Sequence, residues 1–332
     1  MLAAMLFAVG VGAGCSAVAP TQDATFPVCT TAAGDCLDHL ELEPGRTVPF
    51  YRNFSLTTAN PTITEAIIVI HGSSRDAGNY FQTILTATSQ SGTNDQTIIV
   101  SPHFQCAGDP AQPGELVWPC DGSEDWSHGG RDTNRASAPI YSYAVIDQII
   151  VSLTSAGNFP NLKKIVVTGL SAGGQLTQRY AATNPLDPIA GVDLEYLVLS
   201  PSSYVYLDAN RLEDQSHCPR YDDYHYGLQN RTGYVAIPGI DQVRSQYVSR
   251  KVSYLVGDQD TLGNASGTGL DTSCEANAQG ADRVARAINF SNVLRQTYRA
   301  NHPLVVVPGC GHSRTCMYYS LEARRSMAFI SP

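Results

Sequence analysis

The chain has 332 residues, enough for one large α/β domain with a substantial core, and carries a formal net charge of −9. Lysine and arginine together number only 21 and form no basic tract. A nucleic-acid backbone would find no cationic surface here, so that class of partner is excluded.

Residues 1–19 are small and apolar with alanines near their end, a pattern that reads as a secretory signal segment rather than a membrane span. The mature chain is then expected to be extracellular and monomeric: a single domain over 20–332, with loop insertions at about 102–137 and 202–250. Cys15 belongs to the leader, and the remaining cysteines form an even set with no Cys-x-x-Cys pair. Such spacing suits an oxidised, disulfide-stapled protein better than a zinc site. Proximity in sequence pairs Cys29 with Cys36, Cys106 with Cys120, Cys218 with Cys274 and Cys310 with Cys316. Asn53, Asn230, Asn264 and Asn289 each open an Asn-x-Ser/Thr sequon and are candidate glycan acceptors.

In chain order, the turn-rich segment from Thr21 to Arg52 contains an alternating run, Leu40 to Glu43, followed by Pro44-Gly45, and predicts an edge hairpin. The wholly apolar run Ala66–Ile70 predicts a strand buried on both faces of a sheet, ending in His71-Gly72-Ser73-Ser74. A helix over Asp76–Ser89 and a strand over Thr97–Ser101 continue a βαβ alternation. The stretch from Pro102 to Ser137 breaks the pattern and holds both tryptophans, Trp118 and Trp126, so it reads either as a binding loop or as a loop that the two rings plug onto the core. A helix is expected from about Ser137, with Pro139 in its first turn.

Next comes Ile165 to Thr168, a strand running straight into Gly169-Leu170-Ser171-Ala172-Gly173 and then into a helix. A strand, tight turn and helix around Gly-x-Ser-x-Gly lift the serine side chain clear of the sheet. Tyr196–Leu199 gives another strand. The tyrosine-rich segment 202–250, which includes Tyr204, is expected to be irregular and to form a small lid or one wall of a pocket. Lys251–Gly257 predicts a strand before Asp258-Gln259-Asp260, and Gln279–Tyr298 a helix. Leu304–Val307 predicts the last strand before Gly311-His312, and Met317–Phe329 a closing helix.

The chemistry follows from these strand ends. A serine hydroxyl is a poor nucleophile near neutral pH and needs a neutral imidazole to take its proton and a carboxylate to orient that imidazole. Ser171, Asp260 and His312 supply these in chain order at the ends of predicted strands, where an open parallel sheet gathers functional groups. Asp258 is the alternative acid. Oxyanion donors are expected at the amides of Ala172 and of Ser73 or Ser74, with His71 as a structural turn residue. Trp118, Trp126 and Tyr204 are the substrate-contact candidates. His217, His225, Asp222 and Asp223 offer ligand-type side chains close in sequence, but no metal is expected, and without a Gly-x-Gly-x-x-Gly or P-loop neither is a nucleotide cofactor. His128, Arg131, Asp132 and Arg135 read as a salt-bridged loop, with contact to an anionic substrate group as the alternative.

This ordered set resembles the α/β-hydrolase superfamily of serine esterases and lipases. His71-Gly72 is similar to its oxyanion strand exit, Gly169 to Gly174 to its nucleophile elbow, Gly257 to Asp260 to its acid turn and Gly311-His312 to its histidine loop. Gly-Leu-Ser-Ala-Gly-Gly in a secreted, disulfide-linked chain looks like the feruloyl-esterase and polyhydroxyalkanoate-depolymerase group. The resemblance implies a mostly parallel central sheet with helices on both faces. It also implies cofactor-free hydrolysis of carboxylic esters, aromatic, plant-wall or polyester. A serine peptidase on the same scaffold and a non-catalytic carbohydrate- or ligand-binding protein are the alternatives.

Overall fold

The computed structural model describes residues 28–135, 137–155, 157–262 and 269–327. The leader, Asn264 and Phe329 lie outside them. The strands are β1 (Leu37–Glu43), β2 (Arg46–Arg52), β3 (Glu65–Ile70), β4 (Thr97–Pro102), β5 (Gln105–Cys106), β6 (Val117–Trp118), β7 (Lys164–Leu170), β8 (Asp193–Leu199), β9 (Lys251–Gly257) and β10 (Leu304–Val307). The helices are α1 (Ala77–Ser91), α2 (Ser142–Thr154), α3 (Ala172–Thr183), α4 (Ile240–Ser249), α5 (Cys274–Asn277), α6 (Arg283–Val293), α7 (Arg314–Tyr319) and α8 (Leu321–Ser326).

Eight strands form one sheet in the order β1-β2-β4-β3-β7-β8-β9-β10. The pairs from β4 through β3, β7, β8 and β9 to β10 are parallel, and the β1–β2 hairpin joins antiparallel at one edge. The apolar strands explain the layering. On β3, Ile67 and Val69 face the cluster under α1, α7 and α8, whereas Ile68 and Ile70 face the cluster under α2, α3, α4 and α6. Every one of these side chains is fully buried, each contributing roughly 1.5–3 kcal/mol of transfer free energy. The expected fold class is therefore present, an α/β sheet covered on both faces. Among the described residues, no helix is long and apolar enough to cross a membrane.

All four expected disulfides form: Cys29–Cys36, Cys106–Cys120, Cys218–Cys274 and Cys310–Cys316. Other expectations need correction. The second helix begins at Ser142 rather than Ser137, because Asp132 closes the preceding loop: its amide donates to Ile140 O at 2.9 Å and its carboxylate accepts from Ile140 N at 3.0 Å. The closing helix breaks at Ser320, whose extended backbone lets its hydroxyl cap α8 by accepting from Ala323 N. The helix expected over Gln279–Tyr298 starts at Arg283, capped by Asp282, and its last turn, Leu294–Tyr298, widens to a π-helix. The segment 202–250 is not wholly irregular, since it carries α4.

Asn53 is not a glycan acceptor in the folded protein. It is fully buried, its amide donates to Thr97 O at 2.8 Å, and its carbonyl oxygen accepts from Ile99 N at 2.8 Å and Phe54 N at 3.1 Å. Asn230 is exposed, and Asn289 is partly engaged with Gln279 O at 3.0 Å. Replacing Asn53 with alanine strands three backbone groups inside the protein and should cost about 2–4 kcal/mol in urea unfolding. Glycopeptide mapping should find Asn53 unmodified; a glycan there, or a neutral N53A variant, would contradict this reading.

Candidate active site

The site is built where β7 hands the chain to α3. Ser171 adopts φ 63° and ψ −121°, a positive-φ conformation that a non-glycine residue holds only when its surroundings enforce it. Its amide donates to Leu199 O on β8 at 3.1 Å and its carbonyl accepts from Gln175 N at 2.9 Å, so sheet and helix grip the residue from both sides. The neighbouring glycines allow that grip. A Cβ on Gly173 would stand 2.3 Å from Ile70 O and 2.6 Å from His71 O, and one on Gly174 would stand 2.5 Å from Leu199 O. Ala172 opens α3, and the first amides of a helix have no intrahelical acceptor. Its N–H is thus a donor held beside the serine.

The strand exit of β3 is fixed by His71, fully buried. Its Nε2 accepts from Phe104 N at 3.0 Å, which puts the proton on Nδ1 for donation to Gly72 O at 2.8 Å. Trp126 lies against the imidazole, ring centroids 4.6 Å apart, and stacks on Phe104. Burial drives the His71 pKa down to about 3, so the ring is neutral and structural, as the sequence suggested.

The remaining two groups come from the ends of β9 and β10. His312 Nδ1 lies 2.8 Å from Asp260 Oδ2, with the carboxylate almost completely buried. Asp258 has a different task, its carboxylate accepting from Gly309 N at 2.8 Å. The two turns are knitted together by Gln259 N donating to Cys310 O at 2.9 Å, an approach only a residue without Cβ permits at Gly257. The Cys310–Cys316 bridge closes a short ring around His312. Arg314 then ties that ring to α1 through Asp76 at 2.6 Å and lies over the Tyr80 ring.

Ser171 and His312 line the same cleft, about 410 Å³, with Gly72, Ser73, Ser74 and Tyr80. A second hollow of about 510 Å³ adjoins it at Ser73 and is walled by Trp126, Ala172, Gln175, His225 and Asp271. The structure therefore brings Ser171, His312, Asp260, Ala172, Ser73 and Ser74 to one place. It does not bring Trp118 or Tyr204 there. Trp118 is fully buried, edge-on to Phe104 and donating to Ile140 O, and Tyr204 is stacked on Phe290 in the core. Both corrections have one cause: these large rings are packed into the core rather than turned toward the cleft. Trp126 lines the second hollow although it is only 2% exposed.

The other polar groups also separate. Asp222 meets Arg211, Asp223 meets Arg220 and Asn230, and His225 stacks on His128, so they do not converge on a metal. Among the described residues the only cluster of ligand types within metal-binding distance is Cys218, Cys274 and Glu275, and there the cysteines are joined to each other. Asp132 pairs with Arg46, and Arg135 with Glu124, which makes the 128–135 segment a salt-bridged loop. Arg283 was missed: its Nη1 lies 3.5 Å from Asp260 Oδ1, both side chains buried, and no motif marks it.

No known family profile matches the sequence, and no curated protein does. Solved structures do. A poly(3-hydroxybutyrate) depolymerase from Bordetella parapertussis superposes with a TM-score of 0.64 at 20% identity, covering 89% of this chain and 91% of that one. The chain has the α/β-hydrolase fold. A poly(aspartic acid) hydrolase from Sphingomonas sp. KT-1 aligns at TM-score 0.60 and 20% identity over 90% of this chain and 98% of that one. An S-formylglutathione hydrolase from Agrobacterium tumefaciens aligns at TM-score 0.50 and 12% identity, over 89% and 95%. In this chain the serine turn leaves β7 and the acid turn and histidine loop leave the neighbouring strands β9 and β10, two and three places along the parallel part of the sheet.

Two outcomes follow. G173A should push α3 away from the β3 exit and lower any Ser171-dependent activity by about 10²-fold or more, since even a 1 Å misplacement costs that much; full activity in a folded G173A would refute the close-packing argument. His71 accepts a proton in the unfolded chain near its ordinary 6.5 but in the native protein only near 3. Its contribution to stability is therefore complete above about pH 6.5 and is lost as pH falls toward 3, at up to about 1.4 kcal/mol per pH unit. Urea unfolding of wild type against H71N between pH 7 and 4 should show a steeper loss in wild type, and parallel curves would refute it.

Proposed function

We propose that this chain is a secreted serine hydrolase that cleaves carboxylic esters of aromatic, plant-wall or polyester type through an acyl-enzyme. In this reading it belongs with the feruloyl-esterase and polyhydroxyalkanoate-depolymerase group. The observation that carries the reading is the 2.8 Å contact of His312 Nδ1 with the buried Asp260 carboxylate, in a cleft that His312 shares with the positive-φ Ser171.

Asp260 holds Nδ1–H, which leaves Nε2 as the acceptor for the Ser171 hydroxyl proton. Ser171 Oγ attacks the ester carbonyl, and the oxyanion is received by the amide of Ala172 with that of Ser73 or Ser74. His312 returns the proton to the leaving alcohol. Water, activated by the same imidazole, then releases the acid. No step calls on a metal or organic cofactor.

The walls support a substrate of modest size. The second hollow mixes apolar Trp126, Ala172 and Leu270 with polar Asp125, His225 and Asp271, and a long alkyl chain laid along it would cover the polar groups without replacing their hydrogen bonds to water. Polar or short acyl groups and hydroxylated or aromatic alcohols meet no such penalty. Four disulfides fit an oxidising compartment, and exposed Asn230 remains a candidate glycan site.

S171A should lose ester turnover by roughly 10³-fold or more while keeping its fold. Against that blank, acetyl, butyryl and hydroxycinnamoyl esters should be cleaved faster than dodecanoyl or longer ones. D260N should be far more damaging than D258N. Wild-type rates in S171A would sink the mechanism, equal effects of the two asparagine variants would sink the choice of acid, and a preference for long chains would sink the substrate reading.

A further inference from the structure

The carboxylate that orients His312 is itself held from its other side. Asp260 is 2% exposed and uses Oδ2 for His312. Its other oxygen, Oδ1, faces Arg283 Nη1 at 3.5 Å, and the arginine side chain has no solvent exposure. Arg283 is the first residue of α6, whose start is fixed by Asp282 accepting from Ala285 N at 2.8 Å. That helix start determines where the guanidinium can reach.

We propose that Arg283 is a positioning residue that keeps the Asp260 carboxylate charged and turned toward His312. The proposal rests on the hydrolase reading above and goes beyond it, because a serine hydrolase triad needs no arginine. A carboxylate taken out of water with only a neutral imidazole as partner would be costly and would favour its protonated form, which cannot stabilise an imidazolium. A buried cation facing the opposite oxygen offsets part of that cost and leaves Oδ2 available to the ring. Burial pulls the Arg283 pKa down and Asp260 is the leading influence that pulls it back up, yet a guanidinium stays charged in proteins.

The groups that face this pair from the surrounding elements are few. His312 approaches from the loop after β10. Tyr204 interacts electrostatically with both members from the segment after β8, and its phenol is kept neutral by burial. Arg286 lies one turn along α6 and is committed to Gly280 O, Ser202 O and Asn277 Oδ1. Asp258 is turned to Gly309 N.

Removing the Arg283 charge makes every proton on the Asp260–His312 pair easier to add, so the acid limb of kcat/KM must move to higher pH. With an ester substrate and S171A as blank, R283M should shift that limb up by about one pH unit, with its loss of rate growing as pH falls. R283K, which keeps the charge, should leave the limb near its wild-type position. A loss in R283M that is the same at every pH, or one that R283K shares in full, would overturn the proposal.

A stability cycle decides the matter if R283M does not fold. Charge compensation requires that D260N restore folding to R283M, whereas a D260N/R283M protein as defective as R283M would overturn the proposal. Failure of the hydrolase reading would show separately, as no wild-type turnover above the S171A blank. In that event the stability cycle still decides whether Arg283 compensates Asp260.

Discussion

The seating of α3 against the ends of β3 and β8 is the constraint on which the rest of the site depends. Gly173 and Gly174 let the helix start within van der Waals contact of Ile70 O, His71 O and Leu199 O, and the serine between strand and helix is thereby forced to positive φ. A side chain in that conformation points away from the sheet, and the first amide of the helix lies beside it. Two functional groups are thus placed by one piece of steric packing. The strain at Ser171 persists because the hydrogen bonds to Leu199 and Gln175 over-determine it.

The other half of the site is held by bonds rather than by close packing. The acid turn donates backbone hydrogen bonds to Val307 O and Cys310 O, Asp258 ties down Gly309, and the Cys310–Cys316 bridge limits how far the histidine loop can open. Arg314 anchors that loop to α1, and Arg283 backs Asp260 from α6. The imidazole is therefore positioned from several elements at once, as the proposed role of a base toward a single hydroxyl would require.

Much of this was legible in the sequence because it rests on local pattern. The all-apolar runs Ile67–Ile70 and Ile165–Val167 can sit only in a sheet covered on both faces, and the glycines around Ser171 mark a turn that few other residues could form. Disulfide partners followed from closeness along the chain. What was hidden depends on contacts between distant segments. Trp118 and Tyr204 looked like binding residues because they lie in irregular stretches, and only the packed core shows that their rings fill space beneath Phe104 and Phe290. Asn53 reads as a sequon although its amide completes the hydrogen bonding of β4. α4 was missed since only Val243 and Tyr247 among its residues are buried, too few for a clear helical period. Arg283 sits in an ordinary amphipathic helix, and its partner is distant in sequence.

If the fold activates Ser171 as a nucleophile, the hydroxyl should react where ordinary serines do not. A fluorophosphonate that phosphonylates only activated serines, followed by peptide mass spectrometry, tests it without assuming any substrate. One adduct per chain is expected, on the peptide containing Ser171, with labelling abolished in S171A and strongly slowed by replacement of His312. Labelling at another serine, or an intact chain that takes up no reagent at Ser171, would contradict it.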